Sequence, residues 1–289
     1  MNPDKLFKYA LAAVKHPGRM IVCAYSEVTR KRVDVCFNIE GHPDPISVFL
    51  PDSIGRYLYL MGSFEEYEPE TNMMLDQIVK RGDTAMIVGA HIGTHAIKTK
   101  RLVGETGTVV AFEPTPNTYG FLQKNCLKIG IKTENMAVTN GKDQRIDMVV
   151  FDERHSAWNS SFTPRSSNWQ KWQPRTVSVP AVSIDVYCDN HELETDILLL
   201  DMENGEREAI VGSTNQILEH QPSIIIECGD KGRSADNSTR ACLQLLESYD
   251  YSLYEADMVN NKLVRHKIKQ EYPDEYQNVL ALHPRRNLI

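Results

Sequence analysis

From residue 85 onward, short apolar runs alternate with amphipathic stretches. Ala85 to Val88 and Val109 to Phe112 are wholly apolar, as strands buried on both faces require. Between them, Thr94 to Val103 reads as a helix, with Lys98, Lys100 and Arg101 in its last turns, where the dipole favours cations. The next helix takes Thr115 as N-cap and Pro116 at its first position, and presents Tyr119, Leu122, Cys126 and Ile129 on one face until Gly130 closes it. Met136 to Val138 makes a third strand, and Arg145 to Phe151 and Thr176 to Val182 are strands flanking a long polar loop. The alternation resumes with strand Ile197 to Leu200, a helix from Glu206 to about Glu219, and strand Ile224 to Ile226. A helix over Thr239 to Ser248 and strands Tyr251 to Tyr254 and Val279 to Leu282 complete it. This pattern predicts an α/β fold built on a doubly wound, mostly parallel, seven-stranded sheet.

Ahead of that pattern the signals are weaker. Leu6 to Lys15 reads as a short amphipathic helix ending before His16-Pro17-Gly18, and Ile46 to Leu50 as a strand closed by Pro51. Glu65 to Lys80 has helical spacing, with Met73, Met74, Ile78 and Val79 on one face and Gly82-Asp83 as its break. The expected organisation is an N-terminal extension of helix and strand over residues 1–62 and one domain over 63–289. Residues 144–182 form a hairpin and loop insertion within that domain.

The length, 289 residues, and an apolar fraction of 41% suit a sizeable core. A net charge of −7 without basic blocks argues against nucleic acid or an anionic membrane as the main partner. No apolar run approaches the roughly 20 residues of a membrane span, and the N-terminus lacks the pattern of a signal peptide. The six cysteines form neither a C-x-x-C pair nor a zinc-ligand spacing. Reduced, buried thiols in a cytoplasmic protein are the expectation, with no metal ligand set. Oligomeric state is not legible.

The chemistry concentrates at strand ends. Gly89-Ala90-His91-Ile92-Gly93 follows the first strand of the unit, where a doubly wound sheet binds its ligand. Glu113 ends the next strand, at about the 20-residue spacing from which a carboxylate accepts hydrogen bonds from both ribose hydroxyls. His91 and Thr94 stand where a dinucleotide fingerprint needs glycines, so a pyrophosphate is disfavoured. An adenosine cofactor without phosphate escapes that demand, and S-adenosylmethionine is one.

Val88-Gly89-Ala90-His91-Ile92-Gly93, then Val110-Ala111-Phe112-Glu113-Pro114-Thr115-Pro116-Asn117 and Asn125, resemble the FkbM family of methyltransferases. Leu200-Asp201-Met202-Glu203-Asn204-Gly205-Glu206 resembles that family's D-x-E-G-x-E segment with one residue inserted or displaced. Pro222 to Glu227 matches its P-x-I-I-x-E strand. The similarity runs from about Ile46 to Asp257. It implies a Rossmann-like class I methyltransferase sheet, S-adenosylmethionine as donor and usually a hydroxyl acceptor on a sugar or natural product. The first motif departs from D-x-G-A-N-x-G in having Ile87 for the acid and His91 for the asparagine. The acid's work on the donor's amino group then passes to Asp201 or Glu65.

The candidate cofactor-binding residues are Glu65, Gly89, Ala90, His91, Gly93, Glu113, Pro114, Ala137, Val138 and Asp201. Asp201 and Glu203 are the catalytic candidates, because a neutral hydroxyl acceptor has to lose a proton to a base. Glu227, ending the neighbouring strand, joins His155, Trp158 and Asn159 as acceptor-binding candidates. His95, one helical turn beyond His91, reads as a packed or surface histidine. The loop from His155 holds Trp158, Trp169 and Trp172 with Arg165, Lys171 and Arg175, a mixture suited to a sugar-like or acidic small-molecule acceptor. The expected activity is methylation of such a hydroxyl. A nicotinamide-dependent oxidoreductase and a non-catalytic cofactor-binding protein on the same fold are the alternatives.

Overall fold

The computed structural model of the chain describes residues 11–12, 14–40, 42–159, 174–229, 238–272 and 277–286. Ahead of the main sheet come α1 (Pro17–Thr29), the hairpin strands β1 (Val33–Phe37) and β2 (Ile46–Leu50), α2 (Ser53–Met61) and α3 (Pro69–Ile78). The repeating unit follows as β3 (Thr84–Val88), α4 (Thr94–Val103), β4 (Thr108–Phe112), α5 (Pro116–Cys126) and β5 (Lys132–Glu134). A detour through β6 (Ala137–Val138), β7 (Arg145–Val150) and β8 (Arg175–Val182) leads to α6 (Ile184–His191) and β9 (Ile197–Leu200). Next come α7 (Glu206–Val211), α8 (Thr214–Glu219), β10 (Ser223–Cys228), α9 (Thr239–Ser248), β11 (Ser252–Asp257), β12 (Lys262–Arg265) and β13 (Gln277–Leu282).

The main sheet has the order β12-β11-β13-β10-β9-β3-β4-β5. It is parallel from β5 to β10, while β13 and β12 run antiparallel to their neighbours. Side chains alternate across it with a period of two. Ala85, Ile87, Val109, Ala111 and Leu199 face one core, with Ile97 of α4 and Leu122 of α5. Met86, Val88, Val110, Phe112, Leu198 and Ile224 face the other, with Ile210 of α7 and Leu243 of α9. Helices therefore cover both faces, as the apolar runs predicted. The strand order reverses at β3, which lies between β4 and β9, and that reversal opens a crevice at the carboxyl ends.

Several expectations change. The sheet has eight strands among the described residues. The additional one, β12, is an exposed-edge partner of β11 with too little apolar character to be seen in the pattern. The strand beside β4 is Lys132–Glu134; Ala137 and Val138 instead pair with β8 in a separate three-stranded sheet with β7. Asn135 marks the division, its amide donating to the carbonyls of Glu113 and Pro114. The helix expected over Glu206 to Glu219 is broken at Gly212, where a β-carbon would come 2.0 Å from the Thr139 carbonyl oxygen. That close approach leaves room only for glycine, and α7 ends there.

Before residue 62 the pattern showed β2 and the helix ahead of His16, but not α1, β1 or α2. Pro17 begins a further helix directly after the expected one, because proline is preset for the first helical position. Of the helix expected over Leu6 to Lys15, residues 6–10 and 13 lie outside the described residues; residues 11, 12, 14 and 15 are helical and the helix ends before His16. Asp52 caps α2 by accepting from Gly55 N at 2.6 Å, a cap the sequence reading missed. Asn125 of α5 exchanges two hydrogen bonds with the backbone of Ser47 and gives a third to Ile92 O at 2.9 Å. It thus ties β2 to the turn after β3. All six cysteines are free thiols, five of them buried and Cys36 exposed.

Candidate functional site

The turn leaving β3 is defined by its glycines. Gly89 (φ 82°) has no space for a β-carbon, which would lie 1.6 Å from the carbonyl oxygen of Asp201 at the end of β9. Gly93 (φ 102°) starts α4 against the Cys126 thiol, 2.8 Å from where its β-carbon would be. Between them His91 also adopts a left-handed backbone (φ 48°). The backbones of β3 and β9 thus meet at the crevice.

Glu113, at the end of β4, is buried. Its Oε2 accepts from His91 N at 3.1 Å and its Oε1 from Thr115 N at 2.9 Å. Burial raises its pKa above the ordinary value, against the opposing pull of His91 and these two donors. Each oxygen retains a lone pair for a further donor. Thr115 does stand at the N-cap of α5, but its side chain makes no cap; Oγ1 instead accepts from Asn159 Nδ2 at 3.2 Å. Pro114 follows Glu113 as the sequence required.

His91 belongs to a buried relay. Ser156 Oγ donates to Asp52 Oδ2 at 2.6 Å, so it accepts from His91 Nε2, 2.9 Å away. Neither Asp52 nor Ser156 was singled out from the sequence, since they come from the β2–α2 junction and the 3₁₀ turn Glu153–Trp158. His155 pairs with Asp152 at 2.7 Å, and Asn159 also accepts from Phe151 N at 2.9 Å. The Trp158 side chain and residues 160–173, with Arg165, Trp169, Lys171 and Trp172, lie outside the described residues.

The densest cluster joins Glu68, His95 and Asp201, whose ligand atoms all lie within 4.8 Å of one another. His95 is buried and its Nε2 is 3.0 Å from Glu68 Oε2. Burial works against the imidazolium, but the bond to Glu68 outweighs it and raises the His95 pKa. The same bond overcomes burial at Glu68 and lowers its pKa. Asp201 is pushed up to about 7, by burial first and then by the charge of Glu68. Glu227, at the end of β10, rises well above its ordinary value through burial and the Asp201 charge. Each of these two carboxyl groups bears on the other: the Asp201 charge raises the Glu227 pKa, while Glu227 draws that of Asp201 back down. After Asp201 the backbone is left-handed at Glu203 (φ 44°) and Asn204 (φ 80°), the kind of conformation stored at functional sites.

Two sequence expectations are redirected. Glu65 does not join the cluster: it is exposed, 2.9 Å from Lys98 and 3.8 Å from Arg101. Glu68, three residues on, comes there instead because Pro69 starts α3 immediately after it. His95, expected to be a packed or surface histidine, is buried but bonded to Glu68 beside Asp201. Ala137 and Val138 are buried in the small sheet. No sequence motif marked Glu68 in advance.

A parallel sheet reversing at β3, a glycine turn against the next strand's acid and a carboxylate ending β4 are the parts of a Rossmann-like methyltransferase. The model of the methyltransferase FkbM domain matches residues 88–253, and the chain belongs to that family. Membership makes S-adenosylmethionine the implied methyl donor. Comparison with curated proteins gives no match. Among solved structures, the chain is similar to methyltransferase FkbM from Methylobacillus flagellatus KT, with 14% identity and a TM-score of 0.43. That alignment covers 78% of this chain and 52% of the other, so this chain spans about half the length of that relative. An S-adenosylmethionine-dependent O-methyltransferase from Thermotoga maritima aligns with 14% identity and a TM-score of 0.38, over 75% of this chain and 64% of that one. Aeropyrum pernix fibrillarin, solved with natively bound S-adenosyl-L-methionine, aligns with 13% identity and a TM-score of 0.40, over 73% of each chain.

Proposed function

We propose that the protein is a cytoplasmic O-methyltransferase that uses S-adenosylmethionine to methylate a hydroxyl of a sugar or natural product. The observation that carries this reading is Asp201, a carboxylate with a pKa near 7 at the crevice, in backbone contact with the glycine turn. The donor fits the residues present. The turn closed by Gly89 and Gly93 leaves a backbone cradle with Ala90 and His91, and Glu113 has acceptor capacity for ribose hydroxyls. Pro114 lies on the adenosine side. Residues 63–289 form the transferase domain, 1–62 its extension and 144–182 its acceptor insertion. Six free thiols suit a reducing compartment.

S-adenosylmethionine, when bound, supplies an electrophilic methyl group. What the chain supplies is position and a proton acceptor, because in-line displacement at carbon is governed by alignment. Asp201 would take the proton that the acceptor hydroxyl gives up on methylation. A base near pH 7 is well matched to that transfer. Glu203 stands beside this base. Glu227, His155, Trp158 and Asn159 bind the acceptor.

Calorimetry with S-adenosylhomocysteine and NAD, followed by mass spectrometry of a panel of hydroxylated acceptors, tests the reading. Binding of S-adenosylhomocysteine and a methylated hydroxyl support it. Heat with NAD alone points to an oxidoreductase, and donor binding without product from any acceptor points to a non-catalytic binding protein.

A further inference from the structure

Carboxylates crowd the carboxyl ends of β9 and β10. Glu68, Asp201, Glu203 and Glu206 all act on Glu227 electrostatically, and each disfavours its charge. Neither Asp201 nor Glu227 has a lysine or arginine among its leading electrostatic partners. The one basic side chain in the group is His95. S-adenosylmethionine carries a net charge of about +1, from a sulfonium, an ammonium and a carboxylate. Donor binding alone therefore leaves this end of the sheet with excess negative charge.

The three side chains at its centre differ from a solvated acidic patch. They come from three separate elements: Glu68 from the residue before α3, His95 from the first turn of α4, and Asp201 from the end of β9. One is a buried imidazole. Two ligands at right angles on an ion about 2.1 Å away stand about 3 Å apart. The separation of His95 Nε2 and Glu68 Oε2 is 3.0 Å, and Asp201 offers an oxygen within 4.8 Å of both.

Outer contacts hold the Glu68 carboxylate, as metal sites require. Glu68 accepts from Thr71 Oγ1 at 3.4 Å, and Thr71 in turn accepts from Asn278 of β13. A cleft of about 410 Å³, lined by Glu68, Glu70, Glu227, Asp257, Gln277 and Asn278, gives a route from solvent to Glu68.

We infer that Glu68, His95 and Asp201 bind a divalent cation, completing the cluster with one imidazole nitrogen and two carboxylate oxygens. Such a mixed set suits Mn²⁺ and similar ions better than the all-oxygen shell of Mg²⁺ or Ca²⁺. In use, this rests on the methyltransferase reading: an ion beside the acceptor hydroxyl acidifies it, and Asp201, ligating through one oxygen, keeps the other for the proton. The proposed site departs from the expectation of no metal ligands, which followed from the absence of ligand spacing along the chain.

Mn²⁺ binding to the full chain, followed by electron paramagnetic resonance and by thermal shift, tests the site. The wild type should bind one equivalent and rise in Tm. Glu68→Gln and His95→Ala should each lose at least ten-fold in affinity, with circular dichroism reporting whether they fold. Glu219→Gln, an exposed carboxylate of α8, should bind as the wild type does. Two results overturn the inference: no Mn²⁺ bound by the wild type, or equal losses in Glu68→Gln and Glu219→Gln, which is nonspecific attraction. If His95→Ala fails to fold, Glu68→Gln and Asp201→Asn decide alone. Calorimetry with S-adenosylhomocysteine on the same sample separates the two readings. Its binding without Mn²⁺ binding removes the ion and leaves the transferase; binding of neither removes both.

Discussion

The α-carbon of Gly89 faces the carbonyl oxygen of Asp201 so closely that a β-carbon would lie 1.6 Å from it. Asp201 N in turn donates to Val88 O at 3.0 Å. The cofactor turn and the acid of the next strand are therefore one backbone junction. Gly89→Ala has to part them, and the residue is also left-handed (φ 82°). A loss of about 3 kcal/mol or more is expected, in the range of severe backbone and packing defects. Urea unfolding measures it, and a variant as stable as the wild type would contradict the junction.

Glu113 serves two masters. Replacing it with alanine removes the proposed ribose acceptor and strips His91 N and Thr115 N of their partner. S-adenosylhomocysteine binding should weaken by about 1–3 kcal/mol, and Tm should fall as well. Unchanged affinity in calorimetry would remove Glu113 from the ribose site.

Asp201 links stability to pH. Its pKa is about 7 in the folded chain against an ordinary 3.8, so the folded state binds the proton more tightly than the unfolded state. Its stabilisation is complete below the unfolded value and declines as pH rises through about 7. Asp201→Asn should flatten the fall in Tm between about pH 5 and about pH 8, and add about 1–3 kcal/mol at the upper end. An unaltered slope in thermal melts would assign the dependence elsewhere. With Asp201 as the proposed base, catalysis runs oppositely: the base form grows with pH, so kcat should drop below about pH 7, and Asp201→Asn should lower it about 100-fold or more.

Ser156 bridges Asp52 and His91, both buried. Ser156→Ala leaves a carboxylate oxygen and an imidazole N–H without that partner. The cost should be about 1–3 kcal/mol, read by denaturant titration. A change of a few tenths would mean that water takes over the bridge.

The apolar runs alone determined the layers, because a strand buried on both faces has to be apolar throughout and its helices have to carry one apolar face. The same order placed Gly89, Glu113, Asp201 and Glu227 at strand ends, where a doubly wound sheet binds ligands. Asn204 illustrates the limit of reading a motif. Its left-handed backbone (φ 80°) stands where the family's D-x-E-G-x-E segment has glycine, so the segment keeps its spacing with no residue displaced.

Only the tertiary structure decided which side chains meet. Glu68 and Glu65 are alike as letters in one polar stretch; the turn into Pro69 sends one to His95 and leaves the other with Lys98. Asp52, His91 and Ser156 lie far apart in sequence and share one hydrogen-bond chain. Met136 to Val138 has a strand's apolarity, yet Asn135 clamps the chain to Glu113 and diverts it into another sheet. Periodicity is a property of neighbours along the chain and carries secondary structure and burial. Charge clusters and relays depend on distances between elements, which close only when the two cores pack.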